Sequence, residues 1–102
     1  MESVKDKILS QVDDSDILNY YLASFHDKGR LKKGQNISNP FIYPERQKTP
    51  SFNIYPNSKG RWMYHDFATG EHGDCFELVM KLNRIDFKEA LTLIVRDFNI
   101  WL

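Results

Sequence analysis

Residues 48–52 read Lys48-Thr49-Pro50-Ser51-Phe52, and further along the chain residues 73–74 read Gly73-Asp74. Pro50 disfavours a helical backbone at the preceding residue, so the first string predicts an extended chain that leads into a strand. Asp74 is a good helix N-cap, so the second string predicts the start of a helix. A strand is therefore expected soon after Pro50, and a helix from Cys75 onward.

The residues between the two strings predict a β-hairpin. In 51–55, Phe52 and Ile54 alternate with polar or mixed neighbours, and 61–67 alternates in the same way, with Trp62, Tyr64 and Asp66 on one side. Residues 56–60 between them are rich in turn formers. Upstream, 37–43 also reads as β, but its proline favours an edge strand or a bend.

Helices are predicted on both sides of the hairpin. Residues 4–11 form a short amphipathic segment, and one of the residues 13–15 caps a second helix with apolar positions at helical spacing. After the hairpin, 75–83 is helical, and Asp86 with Glu89 forms a capping box for a last helix. The prediction is a single α+β domain over 1–102, with a helical N-terminus (1–27), a β core (35–69) and a helical C-terminus (74–99).

Length and composition exclude several classes of protein. A chain of 102 residues makes one domain, and its single cysteine excludes an internal disulfide framework or a zinc cluster of several cysteines. That cysteine usage fits the reducing cytoplasm, which is the expected location. No apolar run is long enough to span a membrane, and the charged N-terminus does not resemble a signal peptide.

The formal net charge is zero, but the charge is unevenly distributed. Residues 1–27 carry two basic and six acidic groups, and residues 62–102 carry four basic and seven acidic groups. Between them, residues 28–61 hold one acid and eight bases, a net +7 that suggests a polyanion footprint. The bases are Lys28, Arg30, Lys32, Lys33, Arg46, Lys48, Lys59 and Arg61.

The two strings, in this order and at this separation, resemble the zinc-ribbon domain at the N-terminus of bacterial replicative primases. In that family they lie within Cys-Pro-x-His-x-Glu-Lys-Thr-Pro-Ser-Phe and Cys-Phe-x-Cys-Gly-x-Gly-Gly-Asp. The four metal-ligand positions of this pattern fall here on Ile42, Glu45, Asp66 and Thr69. The resemblance therefore implies a zinc-ribbon-like antiparallel hairpin sheet flanked by N-terminal and C-terminal helices, in a form without metal or any other cofactor.

Other contacts must replace the zinc, because a structural zinc site contributes on the order of 10 kcal/mol to folding. We expect Ile42 to pack where a thiolate stands in the family, and Thr69 to hydrogen-bond the turn before Gly70. Glu45 is expected to form an ion pair with Arg46 or Lys48, and Asp66 is expected to pair with a basic residue on the facing segment. Large aromatic side chains are expected to thicken the core: Tyr43, Phe52, Trp62, Tyr64 and Phe67.

A relocated metal site is the alternative. His65, Asp66, His72 and Cys75 are all competent ligands that lie close together in the sequence. Their spacing matches no zinc motif, and Cys75 at the start of a helix reads more naturally as a small core residue.

The resemblance implies a non-catalytic module that contacts single-stranded DNA template beside a separate catalytic domain. The matching residues are Lys48, Thr49, Pro50, Ser51, Arg61, Trp62 and Tyr64, with Arg30, Lys32, Lys33 and Lys59 as further phosphate contacts. Cations along a backbone and aromatic rings for stacking are the usual components of such a surface. The plainer interpretation is that the strand aromatics belong to the core and that the bases form a solvated surface.

One other function remains open. Catalysis by these residues is not expected, since the acidic run 13–16 reads as helix capping and no nucleophile or phosphate-loop motif is present. The rival function is a protein-interaction module that docks on a replication protein, such as a primase catalytic domain or a replicative helicase. Self-association through an edge strand at 37–43 is a variant of it. A phage or mobile element would be a fitting source for such a degenerate copy.

Overall fold

The structure, a computed structural model, describes residues 2–102. Within them it has four α-helices, two short 3₁₀ helices (Ala23–Phe25 and Pro40–Ile42) and one antiparallel sheet of three strands, which confirms the α+β class and the helices on both sides of the hairpin. Over the same residues, no helix has the length and apolar character needed to cross a membrane. The elements are α1 (Val4–Gln11), α2 (Asp14–Leu22), β1 (Phe52–Pro56), β2 (Trp62–Asp66), β3 (His72–Gly73), α3 (Cys75–Asn83) and α4 (Phe87–Phe98).

The helices begin where capping residues predict. Ser3, Asp74 and Asp86 each form a capping box with the residue three positions later. Each box satisfies backbone N–H groups that a helix start otherwise leaves unpaired. Asp13 is the N-cap of α2, without a side-chain hydrogen bond. The α3 helix ends at Arg84, whose left-handed backbone (φ 53°) stops the helix and turns the chain toward α4.

The register of the hairpin determines which side chains face the core. In the β1–β2 pair, Phe52 lies opposite Asp66 and Ile54 lies opposite Tyr64. These four side chains are fully buried and form the inner face of the sheet. The outer face therefore carries Asn53, Tyr55, Met63 and His65.

The short strand β3 is not among the elements predicted from the sequence. It pairs antiparallel with β2, so that Gly73 lies opposite Tyr64 and His72 opposite His65. Two residues are too few to show the alternation that identifies a strand in a sequence. The β3 strand covers the edge of β2 and leads directly into α3.

The inner face of the sheet packs against the helices in one hydrophobic core. The rings of Phe52 and Tyr64 are stacked with centroids 5.5 Å apart, and Phe41 stands edge-on to both rings. Tyr43 and Phe67 are more than half exposed, so the expectation that they thicken the core is wrong. The buried core is Ile8, Ile17, Leu18, Leu22, Leu31, Ile37, Phe52, Ile54, Tyr64, Cys75, Phe76, Leu78, Val79, Ala90 and Ile94.

For residues 37–43 the sequence predicted either an edge strand or a bend, and the structure shows the bend. Ile37 forms only an isolated antiparallel bridge to Phe52, and Pro40–Ile42 is a 3₁₀ helix. The side chain of Asn39 caps this helix by accepting a hydrogen bond from the backbone N–H of Phe41. A proline lacks the N–H that a strand needs at this point, so self-association through an edge strand here loses its basis.

Candidate nucleic-acid interface

Asp66, one of the four residues for which the resemblance implies a metal-ligand position, is the centre of a buried polar network. Its Oδ1 accepts hydrogen bonds from the Ser51 hydroxyl (2.8 Å) and from the backbone N–H groups of Ala68 (2.8 Å) and Thr69 (3.2 Å). Its Oδ2 accepts one from Nδ2 of Asn39 at 2.7 Å. A single carboxylate thus joins the loop before β1, the start of β1 and the turn after β2.

Gln47 forms a second layer of the same network. Its Oε1 accepts hydrogen bonds from the backbone N–H groups of Asn39 (2.8 Å) and Ser51 (3.3 Å). Its Nε2 donates to the Ser51 hydroxyl at 2.7 Å. Gln47 therefore holds together the same two segments that Asp66 joins, and it orients the Ser51 hydroxyl toward the carboxylate.

The carboxylate of Asp66 is held by neutral donors. Burial alone would raise its pKa, but the hydrogen bonds from Ser51, Ala68, Asn39 and Thr69 together hold the pKa of Asp66 below its usual value. Across residues 2–102, no lysine or arginine forms a salt bridge with Asp66. The expected ion pair between Asp66 and a basic residue is therefore wrong, because two side chains and two backbone N–H groups satisfy the carboxylate instead.

The other three residues expected at metal-ligand positions, Ile42, Glu45 and Thr69, differ in their exposure and contacts. Ile42 is 40% exposed, so it does not pack in place of a thiolate as expected. Glu45 is exposed and, over the described part of the chain, makes no salt bridge with Arg46 or Lys48, which corrects that expectation too. Thr69 does hydrogen-bond in the turn before Gly70, where its backbone N–H donates to Oδ1 of Asp66 at 3.2 Å. Its hydroxyl accepts from the backbone N–H of Glu71, beyond that turn, at 3.2 Å.

The four side chains of the alternative metal site do not come together. His65 and Asp66 are adjacent in β2 and point to opposite faces of the sheet, and His72 is exposed on β3. Burial raises the pKa of the Cys75 thiol to about 12, which keeps it protonated at neutral pH. Nowhere in residues 2–102 do three or more His, Cys, Asp or Glu side chains form a group that could hold a metal.

The predicted nucleic-acid-binding residues divide into exposed and buried groups. Ser51 is buried in the Asp66 network, and Tyr64 is fully buried with its ring stacked on Phe52. Neither side chain can reach a template from this fold, so the assignment of these two residues is corrected. Trp62 is half-buried. The exposed members of the predicted set are Lys32, Lys33, Lys48, Thr49, Lys59 and Arg61.

Arg61 lies beside the buried carboxylate of Asp14. The distance from its Nη1 to Oδ2 of Asp14 is 3.7 Å, and the same Oδ2 accepts the backbone N–H of Trp62 at 3.1 Å. Burial raises the pKa of Asp14, against the lowering effect of the Trp62 hydrogen bond. This contact anchors the start of β2 to α2, while most of the Arg61 side chain stays in solvent.

The outer face of the sheet carries the aromatic surface that sequence reasoning missed. The rings of Tyr55 and His65 meet edge-to-face with centroids 6.1 Å apart, and both side chains are partly exposed. The backbone N–H of Gly34 donates to the Ile54 carbonyl at 2.9 Å, which holds the loop bearing Lys32 and Lys33 at the edge of β1 opposite to β2. The signal was present: once Phe52 and Ile54 face inward, Tyr55 must face outward.

Comparison with known proteins relates the whole chain to one family. The family model described as the CHC2 zinc finger matches residues 1–102. The chain is 32% identical over 93 residues to a DNA primase of Listeria monocytogenes, covering 88% of the chain and 13% of that primase. It is 39% identical over 54 residues to a DNA primase of Chlamydia trachomatis, covering 53% of the chain and 9% of that protein. The chain thus spans about a tenth of the length of these curated relatives.

Proposed function

The chain belongs to the CHC2 zinc finger family, and from that premise we propose that it is a non-catalytic nucleic-acid-binding module of a primase-like DNA replication protein that contacts single-stranded template. A chain of 102 residues that spans about a tenth of its primase relatives does not contain a full primase catalytic domain. Primer synthesis would be the task of a separate domain, with this module supplying contact to the template.

The observation that carries the proposal is the outer face of the sheet. Tyr55 and His65 offer partly exposed rings, and stacking of a base on an aromatic ring is worth about 1–3 kcal/mol. Lys32 and Lys33 lie in the loop held at the edge of β1, and Lys59 lies in the hairpin turn. An aromatic face with cations at its borders is suited to binding a flexible single-stranded nucleic acid without sequence preference.

The remaining exposed residues extend this surface along the chain. Lys48 and Thr49 precede β1, and Arg61 precedes β2, so all three lie at the ends of the hairpin strands. Trp62 is half-buried and begins β2. We assign phosphate contacts to the three cationic side chains Lys48, Lys59 and Arg61, and a backbone-positioning role to Thr49.

The rival proposal is a protein-interaction module that docks on a replication protein. A groove of about 260 Å³ between α1, α4 and the C-terminal residue favours it, because its lining is largely apolar: Val4, Leu91, Val95 and Leu102. The partner would be a primase catalytic domain or a replicative helicase. In either proposal the module works in the cytoplasm, and a phage or mobile-element origin fits the loss of the zinc ligands.

Fluorescence anisotropy of a labelled single-stranded oligonucleotide, titrated at low and high salt, tests the proposal. We expect binding that weakens steeply with salt and that drops about fivefold or more in Tyr55→Ala. Lys48→Ala should also weaken binding, whereas Lys88→Ala, the same charge change at an exposed position of α4, should not. Absence of binding at low salt would favour the rival proposal.

A further inference from the structure

A second candidate surface lies away from the outer face of the sheet. A cleft of about 200 Å³ is formed between the 3₁₀ helix Pro40–Ile42 and the end of α3. Three aromatic residues and two cations line it: Phe25, Phe41, Tyr43, Lys81 and Arg84. Its volume is below the roughly 300–1,000 Å³ of sites for drug-sized ligands, so a single planar group is the occupant that fits.

The aromatic wall of the cleft is exposed yet fixed in place. The Tyr43 side chain is 57% exposed, and its ring meets the Phe25 ring edge-on with centroids 5.3 Å apart. Phe41 stands edge-on against the buried rings of Phe52 and Tyr64, which attaches the cleft to the core. The Tyr43 ring is thus available for stacking without first having to leave the core.

The cations of the cleft differ in how far they are already engaged. Lys81 donates a hydrogen bond to Oε2 of Glu71 at 2.9 Å, and its Nζ lies 5.1 Å from the centroid of the Phe41 ring. Arg84 is exposed and forms no salt bridge within the described residues. The end of α3 carries only about half a negative charge from the helix dipole, and Glu71 already neutralises Lys81. The positive charge of Arg84, unpaired within residues 2–102, therefore leaves the cleft attractive to an anion.

We propose that this cleft binds one nucleotide of a single-stranded nucleic acid, with the base stacked on Tyr43 and the phosphate held by Arg84. The proposal rests on the proposed function, since it adds a second contact for the same strand. Charge and shape together indicate the class of ligand. Arg84 requires an anion, Tyr43 requires a flat apolar face, and a nucleotide supplies both.

The cleft and the outer face of the sheet are separate contacts. Phe41, which lines the cleft, packs against Phe52 and Tyr64 on the inner face, whereas Tyr55 and His65 lie on the outer face. A strand that contacts both must therefore pass around an edge of the sheet. Short oligonucleotides would occupy one contact at a time, and longer ones would gain affinity by reaching both.

The first test is an NMR titration of the ¹⁵N-labelled chain with thymidine monophosphate. We expect amide shifts at Tyr43, Lys81 and Arg84 that are lost in Arg84→Gln and Tyr43→Ala. Arg84→Gln changes one exposed side chain and exchanges one residue with a Cβ atom for another at this left-handed position, so we expect the fold to be retained. The matched control is Arg96→Gln, an exposed arginine on α4.

The second test is binding of a long oligothymidylate by the same variants. Tyr43→Ala and Arg84→Gln are each expected to weaken binding by about fivefold or more. If both bind like the wild type while Tyr55→Ala is weakened, the cleft proposal fails and the proposed function stands. If the wild type binds no oligothymidylate at low salt, both fail. If hexaglutamate shifts the cleft amides and the nucleotide does not, the cleft is an acidic-peptide site and the proposal is overturned.

Discussion

Asp66 and Asn39 are joined by a hydrogen bond of 2.7 Å from Nδ2 to Oδ2, and both side chains are buried. The two residues are far apart in sequence, so this contact closes the long loop before β1 onto the end of β2. A hydrogen-bonded carboxylate thus joins these two segments, and the predictions on stability follow from this contact.

Replacing Asp66 with alanine should destabilise the fold strongly. The change removes four hydrogen bonds to a charged acceptor and leaves Asn39 and Ser51 buried without their partner. Hydrogen bonds to charged groups contribute about 1.5–3 kcal/mol each, and buried unpaired groups add a cost, so we expect a loss of about 3 kcal/mol or more. Urea unfolding measures it, with the exposed Asp27→Ala as control. A loss below about 1 kcal/mol would contradict the role given to Asp66.

Acid should destabilise the chain through the same carboxylate. The pKa of Asp66 is lowered in the fold, so its contribution to stability is complete above the unfolded value of about 3.9 and is lost as pH falls through the lower folded value. Glu71, whose pKa is lowered by Lys81, acts in the same direction. We expect the free energy of unfolding to decrease below about pH 4. Urea titrations at several pH values should show a smaller decrease for Glu71→Gln.

Asp14 should show the opposite pH dependence. Burial raises its pKa, so its contribution to stability is complete below the unfolded value and is lost as pH rises through the folded value. Asp14→Asn retains an acceptor for the Trp62 N–H and removes the buried charge. The stability of this variant relative to the wild type should therefore increase as the pH rises above about 4. If the difference in stability between Asp14→Asn and the wild type does not change with pH, then burial does not raise the pKa of Asp14.

Chelation of metals should leave the stability unchanged. If the Asp66 network replaces the zinc, the urea midpoint of the purified chain will be the same with and without EDTA, and metal analysis will show no stoichiometric zinc. Classical structural zinc domains unfold under the same treatment, so a zinc-containing member of the family is the positive control. A large drop in the urea midpoint on addition of EDTA would show that the chain binds a stabilising metal, which would contradict the prediction.

Capping residues and period-two alternation were enough to predict most of the fold. The helix starts at Asp74 and Asp86 and the inward-facing Phe52 and Ile54 are local properties of the chain. Tyr64 was wrongly assigned to the template surface because the alternation in β2 does not show which side faces the core. The register with β1 decides it, since Tyr64 lies opposite the buried Ile54. The partners of Asp66 could not be predicted either, because the donor Asn39 lies beyond an irregular loop whose path depends on tertiary contacts.

Gly73 should tolerate no side chain, because the Tyr64 ring occupies the space. A Cβ atom at this position would lie 2.7 Å from Cε2 of Tyr64, closer than real contacts allow. Overpacking of this kind costs about 1–3 kcal/mol, so Gly73→Ala should destabilise by that amount. In a double-mutant cycle with Tyr64→Leu, the two changes should destabilise less together than the sum of the single changes. Additive effects would mean that Gly73 is needed for another reason.

The number of phosphate contacts can be read from the salt dependence of single-strand binding. For single strands, the slope of the logarithm of affinity against the logarithm of salt concentration is about −0.7 per neutralised phosphate. If Lys32 and Lys33 each contact a phosphate at the edge of β1, Lys32→Ala combined with Lys33→Ala should make the slope shallower by about 1.4. Tyr55→Ala should lower affinity at every salt concentration and leave the slope unchanged, because stacking releases no counterions. Anisotropy titrations over a series of salt concentrations measure both effects. A steep slope that survives the lysine substitutions would remove this loop from the interface and leave the hairpin cations Lys48, Lys59 and Arg61 as the phosphate contacts.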